Sequence, residues 1–137
     1  MKRVHLSEFS IYYEDTDSTG LVYHTSYLKF AERARSNFLR EKFPDLQSLL
    51  DSNEFFFVVK EMQINFIKSA SLNQNLEIET FFAGHSFCSI NLTHKIFKSD
   101  LLLNEINVKL VWVDGSKKKP SKLSENIVAR FNSLEVV

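Results

Sequence analysis

The sequence predicts an α+β fold: a five-stranded antiparallel sheet curved around one long central helix, with a short helix at the C-terminus. Three observations predict it. Residues Ser26 to Phe43 repeat apolar side chains at helical spacing. Five other segments alternate apolar and polar side chains with a period of two. Several links between those segments are short, which favours antiparallel pairing. Alternation gives each strand one apolar face, and only one long helix is available to cover it. A sheet that wraps that helix is the economical arrangement.

The first strand is read over His5 to Glu14, where Phe9, Ile11 and Tyr13 share one face and Ser10, Tyr12 and Glu14 the other. Asp15 to Gly20, the segment DTDSTG, is turn chemistry: short polar side chains that bond their own backbone, then a glycine that tolerates positive φ. The helix brings Tyr27, Phe30, Ala31, Ala34, Phe38 and Leu39 onto one stripe. Thr25 or Ser26 is expected to cap its start and Pro44 to end it. Leu46, Leu49 and Leu50 suggest one further short turn of helix. Four strands then follow as a meander, over Phe55 to Lys68, Leu76 to Phe82, Phe87 to Phe97 and Leu101 to Val113. Gly84-His85-Ser86, Ser99-Asp100 and Asp114-Gly115 supply turns. In the tail, Ser124 to Leu134, a helix places Ile127, Phe131 and Leu134 on one face. The outer sheet face and its edge strands invite pairing with a second copy.

At 137 residues and 16.0 kDa, the chain is expected to form one domain over residues 1–137. Its 44% hydrophobic and 25% charged content excludes a disordered chain. Seventeen Lys and Arg balance 17 Asp and Glu, which disfavours a nucleic-acid partner. The single cysteine, Cys88, excludes an internal disulfide and a cysteine-rich zinc site, and fits a reducing compartment. Sharing a face with Ile90 and Leu92, it reads as a small buried hydrophobe. His85 and His94 are too scattered for a metal set. No apolar run approaches the ~18–20 residues that span a bilayer. Lys2 and Arg3 have no apolar stretch behind them, so no secretory leader is read there. A cytoplasmic protein without an integral membrane segment is expected.

The densest polar and aromatic cluster runs from Tyr12 to His24, from the end of a strand into the start of the long helix. Amides at a helix start have no intrahelical acceptor and carry the positive end of the dipole, so they can stabilise a developing oxyanion. A carboxylate beside them can act as base or nucleophile, and a histidine there can donate a hydrogen bond or exchange a proton. The residues alone leave a plainer reading open, in which DTDSTG is a capped turn and Tyr23 and Tyr27 are core aromatics.

Tyr13-Glu14-Asp15-Thr16-Asp17, Gly20-Leu21-Val22-Tyr23-His24, Tyr27-Leu28 and Glu32-Arg33-Ala34-Arg35 resemble the signature of the hotdog-fold acyl-CoA thioesterases. The branch resembled is the YbgC-like group of the 4-hydroxybenzoyl-CoA thioesterase-like family. The order of elements and the length agree with it over nearly the whole chain. The resemblance implies a hotdog fold and hydrolysis of an acyl-CoA thioester to free acid and CoA, with neither metal nor other cofactor. It implies that Asp17 attacks the thioester carbonyl or activates water, while the backbone amide at His24 polarises that carbonyl. It associates the His24 side chain and Tyr13 with the active site, and Gly20, Val22, Tyr23 and Tyr27 with substrate binding. Family members form homodimers or homotetramers with each site at a subunit interface, and the branch is linked to acyl carrier protein.

Some relatives hold CoA phosphates with Arg or Lys on the turn between the third and fourth strands. Here that turn is Ala83-Gly84-His85-Ser86, so Lys117, Lys118 and Lys119, with Lys122, become the candidates, against a plain solvated loop. Glu32, where other hotdog thioesterases carry a carboxylate, reads as an ion-pair or hydrogen-bond partner because Asp17 already fills that role. Phe55, Phe56 and Phe57 are candidates to line an acyl pocket. The alternatives are a hotdog dehydratase, disfavoured because the only helix histidine, His24, stands at its start, and a non-catalytic module that binds an acyl group or acyl carrier.

Overall fold

The alternating segments pair into one antiparallel sheet, and the helical segment lies in its concave face. The computed structural model describes residues 1–137. Its elements are β1 (Lys2–Ser10), α1 (His24–Lys42), α2 (Pro44–Asp51), β2 (Phe55–Phe66), β3 (Asn75–His85), β4 (Ser89–Lys98), β5 (Leu101–Asp114), β6 (Lys119–Pro120) and α3 (Glu125–Asn132). The strands are ordered β1-β3-β4-β5-β2, with two-residue β6 added beside β5. All pairs are antiparallel. This is the hotdog arrangement, α+β, with α1 as the filling.

The sheet corrects the expected meander, since only β3, β4 and β5 follow one another. β2 instead lies at the far edge beside β5. The cause is the link after β2. It runs back past the start of α1, where the Val22 amide donates to the Ala70 carbonyl at 2.9 Å, before β3 begins beside β1.

The core follows from the two periodicities. Tyr27, Phe30, Ala31, Ala34 and Phe38 form the buried stripe of α1. Ala31 and Ala34 have no bulk beyond Cβ, so the helix comes close to the strands. Facing it are Leu76, Ile78 and Phe82 of β3, Ile90, Leu92 and Ile96 of β4, and Ile106, Val108, Leu110 and Trp112 of β5. Burying each large side chain contributes about 1.5–3 kcal/mol. Three polar side chains interrupt this inner face: Thr80, His94 and Asn104, all fully buried. α3 plugs one end. Ser124 caps it by accepting from the Ile127 amide at 3.1 Å, and Phe131 stacks on Phe43 with ring centroids 4.4 Å apart.

Element boundaries shift where local bonds outcompete pattern. β1 starts and stops earlier than expected. The Tyr12 amide is captured by Asp15 Oδ2 at 2.9 Å, and Tyr13–Asp15 winds into one turn of 3-10 helix, so Tyr13 is not a strand residue. α1 starts two residues early. Tyr23 holds the N-cap position with no side-chain bond, and Thr25 and Ser26 lie inside the helix rather than capping it. Pro44 both closes α1 and opens α2, at a position where its missing N–H costs nothing. Cys88 is only partly buried, just ahead of β4. The β1 edge is covered where the Val137 amide donates to Arg3. β2 occupies the other edge of the sheet, with Val58 and Val59 exposed. No helix is long and apolar enough to cross a membrane.

Candidate active site

The DTDSTG segment folds as a tight hairpin that sets Asp17 beside the start of α1. Thr16 and Val22 form an isolated antiparallel bridge. Inside it, the Asp17 amide donates to Leu21 at 2.9 Å and the Gly20 amide to Asp17 at 3.1 Å. Gly20 closes the turn at φ +80°, in open space, a conformation that side-chain-bearing residues rarely adopt. The two aspartates have separate work. Asp15 is buried and clamps the segment: its carboxylate accepts from Tyr12, and its carbonyl accepts from the Tyr23 amide at 2.8 Å. Asp17 is exposed.

Asp17 Oδ1 accepts from the Thr19 hydroxyl and from the Thr19 amide, the latter at 2.8 Å. The hydroxyl bond first, then the amide bond, hold its carboxyl below the usual carboxylate range. The group is therefore ionised at neutral pH. Both Thr19 bonds fall on Oδ1, Oδ2 accepts no close hydrogen bond, and the Leu21 backbone adds a weaker pull on the carboxylate. His24 is the first residue of α1, and no side chain caps that end; the Ser26 amide donates to the Tyr23 carbonyl at 2.9 Å, which leaves the His24 and Thr25 amides unclaimed by any cap. The His24 ring packs against Tyr23, with centroids 4.5 Å apart. An anchored carboxylate and an uncapped helix start, joined by a short hairpin, are the two groups that attack on a polarised carbonyl requires.

The other expected site residues divide. Tyr23 and Tyr13 are exposed, Tyr13 at 82%, and Gly20 is half-buried. Val22 and Tyr27 are buried in the single chain. The Tyr27 hydroxyl accepts from the Ala70 amide at 3.0 Å, and burial pushes its phenol above the ordinary tyrosine value. Tyr27 thus holds residue 70, which in turn holds Val22. Half-exposed apolar side chains gather on the two segments that run together here: Leu21, Tyr23, Phe66 and Ile67. The principal cavities of the single chain are not lined by Asp17 or His24. The best-defined apolar cleft lies instead at the other end of α1, and Phe56 and Phe57 contribute to it.

Lys117, Lys118 and Lys119 lie on the exposed turn and short strand after β5. The structure does not bring them to Asp17. The Asp17 hairpin is tied to the link after β2, which bonds to Leu103 near the start of β5, whereas the lysines follow its end at Asp114. That separation is roughly 35 Å at ~3.3 Å per strand residue. Glu32 is exposed and approaches Arg35 only to 3.7 Å. No group of three or more His, Cys, Asp or Glu side chains is placed to hold a metal ion.

Sequence reasoning missed Thr19, although an Asp followed two residues later by Thr is a recognisable self-bonding turn. It also missed the Tyr27 to Ala70 bond, because a contact between residues so far apart leaves no local pattern.

The family model described as the thioesterase-like superfamily matches residues 12–131. The acyl-CoA thioester hydrolase YbgC of Escherichia coli O6:H1 is 41% identical over 122 residues, which cover 88% of this chain and 90% of that protein. The acyl-CoA thioesterase YbgC of Haemophilus influenzae is 36% identical over 125 residues, covering 91% and 92%. A crystal structure described as a "Probable Thioesterase" from Bartonella henselae aligns with a TM-score of 0.78 at 32% identity, covering 88% of this chain and 98% of that one.

Proposed function

Since the chain belongs to the thioesterase-like superfamily, we propose that it hydrolyses acyl-CoA thioesters to free acid and CoA, with Asp17 as the reacting carboxylate and the His24 amide as the oxyanion donor. One observation carries the residue assignment. An ionised carboxylate with one free oxygen is held by a short hairpin next to an uncapped helix start.

In this reading the thioester carbonyl oxygen points at the first-turn amide of α1, where negative charge is favoured as it develops. Asp17 Oδ2 attacks the carbonyl carbon to give a mixed anhydride that water then hydrolyses to the free acid, or it takes a proton from a water that attacks the carbonyl directly. The CoA thiolate is a good leaving group and departs without a strong acid. Thr19 keeps Asp17 ionised and aimed, while Asp15 and Tyr27 hold the two sides of the loop. The His24 side chain, Tyr13, Gly20 and Tyr23 border the thioester, and Val22 and Tyr27 support that border from beneath. The substrate brings its own CoA, and neither metal nor other cofactor takes part.

We read residues 1–137 as one domain working in the cytoplasm as a homodimer or homotetramer. The exposed apolar side chains around the hairpin and the outer edge of β2 support a second copy completing the site. A second copy would also have to supply the lysines: Lys117, Lys118 and Lys119 reach CoA phosphates only from another chain. A thioester carried on acyl carrier protein is the alternative substrate.

The test is a panel of aryl-, short-chain and long-chain acyl-CoA, and acyl carrier protein thioesters, with free thiol measured. Release from at least one CoA thioester is expected. Release from none would overturn the reading and favour a non-catalytic acyl-binding module.

A further inference from the structure

The cleft between α1, α2, β2 and β5 has a volume of about 220 Å³, and eight of its twelve lining residues are hydrophobic. Phe43, Phe57 and Trp112 give it an aromatic wall. Its polar lining consists of Arg35, Ser36, Arg40 and Gln47, with two guanidiniums and no carboxylate.

Arg35 is the unusual member. Its side chain is only 13% exposed, and its guanidinium makes no hydrogen bond within the chain. The nearest carboxylate, Glu32, lies 3.7 Å away and is itself 65% exposed, so water screens most of its charge. Burial pushes the Arg35 guanidinium below its ordinary value. A half-buried guanidinium whose one ion-pair partner is exposed keeps donors free for a ligand, and the open volume beside it is this cleft.

We propose that this cleft binds a small apolar carboxylate, its carboxylate paired with Arg35 and its aryl or short-chain body against Phe57 and Trp112. The planar guanidinium matches a carboxylate in a two-bond fork. The size also fits: an engineered cavity of about 150 Å³ holds benzene, so this one accommodates a ring with a short acidic arm. Arg35 stands eleven residues along α1 from His24, about 16 Å at ~1.5 Å per residue. The ligand has the chemistry of the free acid that thioester hydrolysis releases, but the proposal needs only the cleft and the Arg35 guanidinium, whose donors make no hydrogen bond within the chain.

The test is calorimetric titration of the wild type and Arg35→Met with phenylacetate, and with phenylethanol as the neutral counterpart. Methionine fills similar space and removes a half-buried charge whose one ion-pair partner is exposed, so the variant is expected to fold and to melt close to the wild type. Phenylacetate is expected to bind the wild type and to bind Arg35→Met about ten- to hundredfold more weakly. Phenylethanol is expected to bind both alike. Equal phenylacetate affinity in the two proteins, or no binding to the wild type, would overturn the proposal. Binding is expected to persist in Asp17→Asn. Its loss there would place the ligand at the hydrolytic site and overturn the proposal too. Absence of thioesterase activity, by contrast, leaves the expected binding unchanged, so the two readings fail separately.

Discussion

His94 makes the stability of this fold depend on pH in a calculable way. Its Nδ1 is hydrogen-bonded to Thr80 Oγ1 at 2.9 Å, and its Nε2 has no partner. Burial, with the positive charges of Arg35 and His5 adding to it, holds its pKa down from 6.5 to about 3. The unfolded chain therefore binds a proton that the native state refuses. The contribution to stability is full above about 6.5 and is lost as pH falls from there toward 3. Each pH unit in that window costs ~1.4 kcal/mol, so going from about pH 7 to about pH 5 costs ~2 kcal/mol. His94→Gln keeps a polar partner for Thr80 and does not titrate. Urea unfolding followed by Trp112 fluorescence measures the difference at the two pH values. With a slope of about 1–3 kcal/mol per molar urea, the wild-type midpoint should fall by roughly 1 M more than the variant's on acidification. An equal fall in both proteins would refute the buried, neutral assignment.

Tyr27→Phe leaves the buried Ala70 amide without its acceptor, which costs about 1–3 kcal/mol and lowers Tm by roughly 3–10 °C in calorimetry. Because residue 70 holds Val22, kcat should fall as well. Thr19→Val removes the hydroxyl that does most to keep Asp17 acidic. The acid limb of the kcat/KM profile should then move up toward the ordinary carboxylate value of about 4, with the plateau above it retained. Replacing Lys117, Lys118 and Lys119 together with serine should raise KM for acyl-CoA and weaken its salt dependence while leaving kcat near the wild type, as read in steady-state kinetics over a salt series.

The elements were legible because their signals are local. Phe30, Ala34 and Phe38 recur at helical spacing, and Ile90, Leu92 and Ile96 alternate, so the α1 stripe and the β4 inner face could be read directly. The position of β2 could not. Its alternation says that it is a strand, but nothing in Phe55 to Phe66 states whether it lies beside β3 or β5. That choice is made by the path of residues 67–74 past the helix start. The hairpin at Asp17 was legible as turn chemistry, and the resemblance gave it a role. The division of labour between Asp15 and Asp17 was not, because it depends on which carboxylate the loop buries. Arg35 was hidden for the opposite reason. In the sequence it stands only as part of the Glu32 to Arg35 motif, and it becomes unusual when α2 and β2 residues join it around one cleft.

The most direct measurement is acyl-CoA turnover by Asp17→Asn. Asparagine can still accept from Thr19, so the hairpin should persist and Tm and substrate binding should match the wild type. The account predicts that kcat falls by at least about a hundredfold. A variant that folds, binds and retains kcat within about threefold would contradict it.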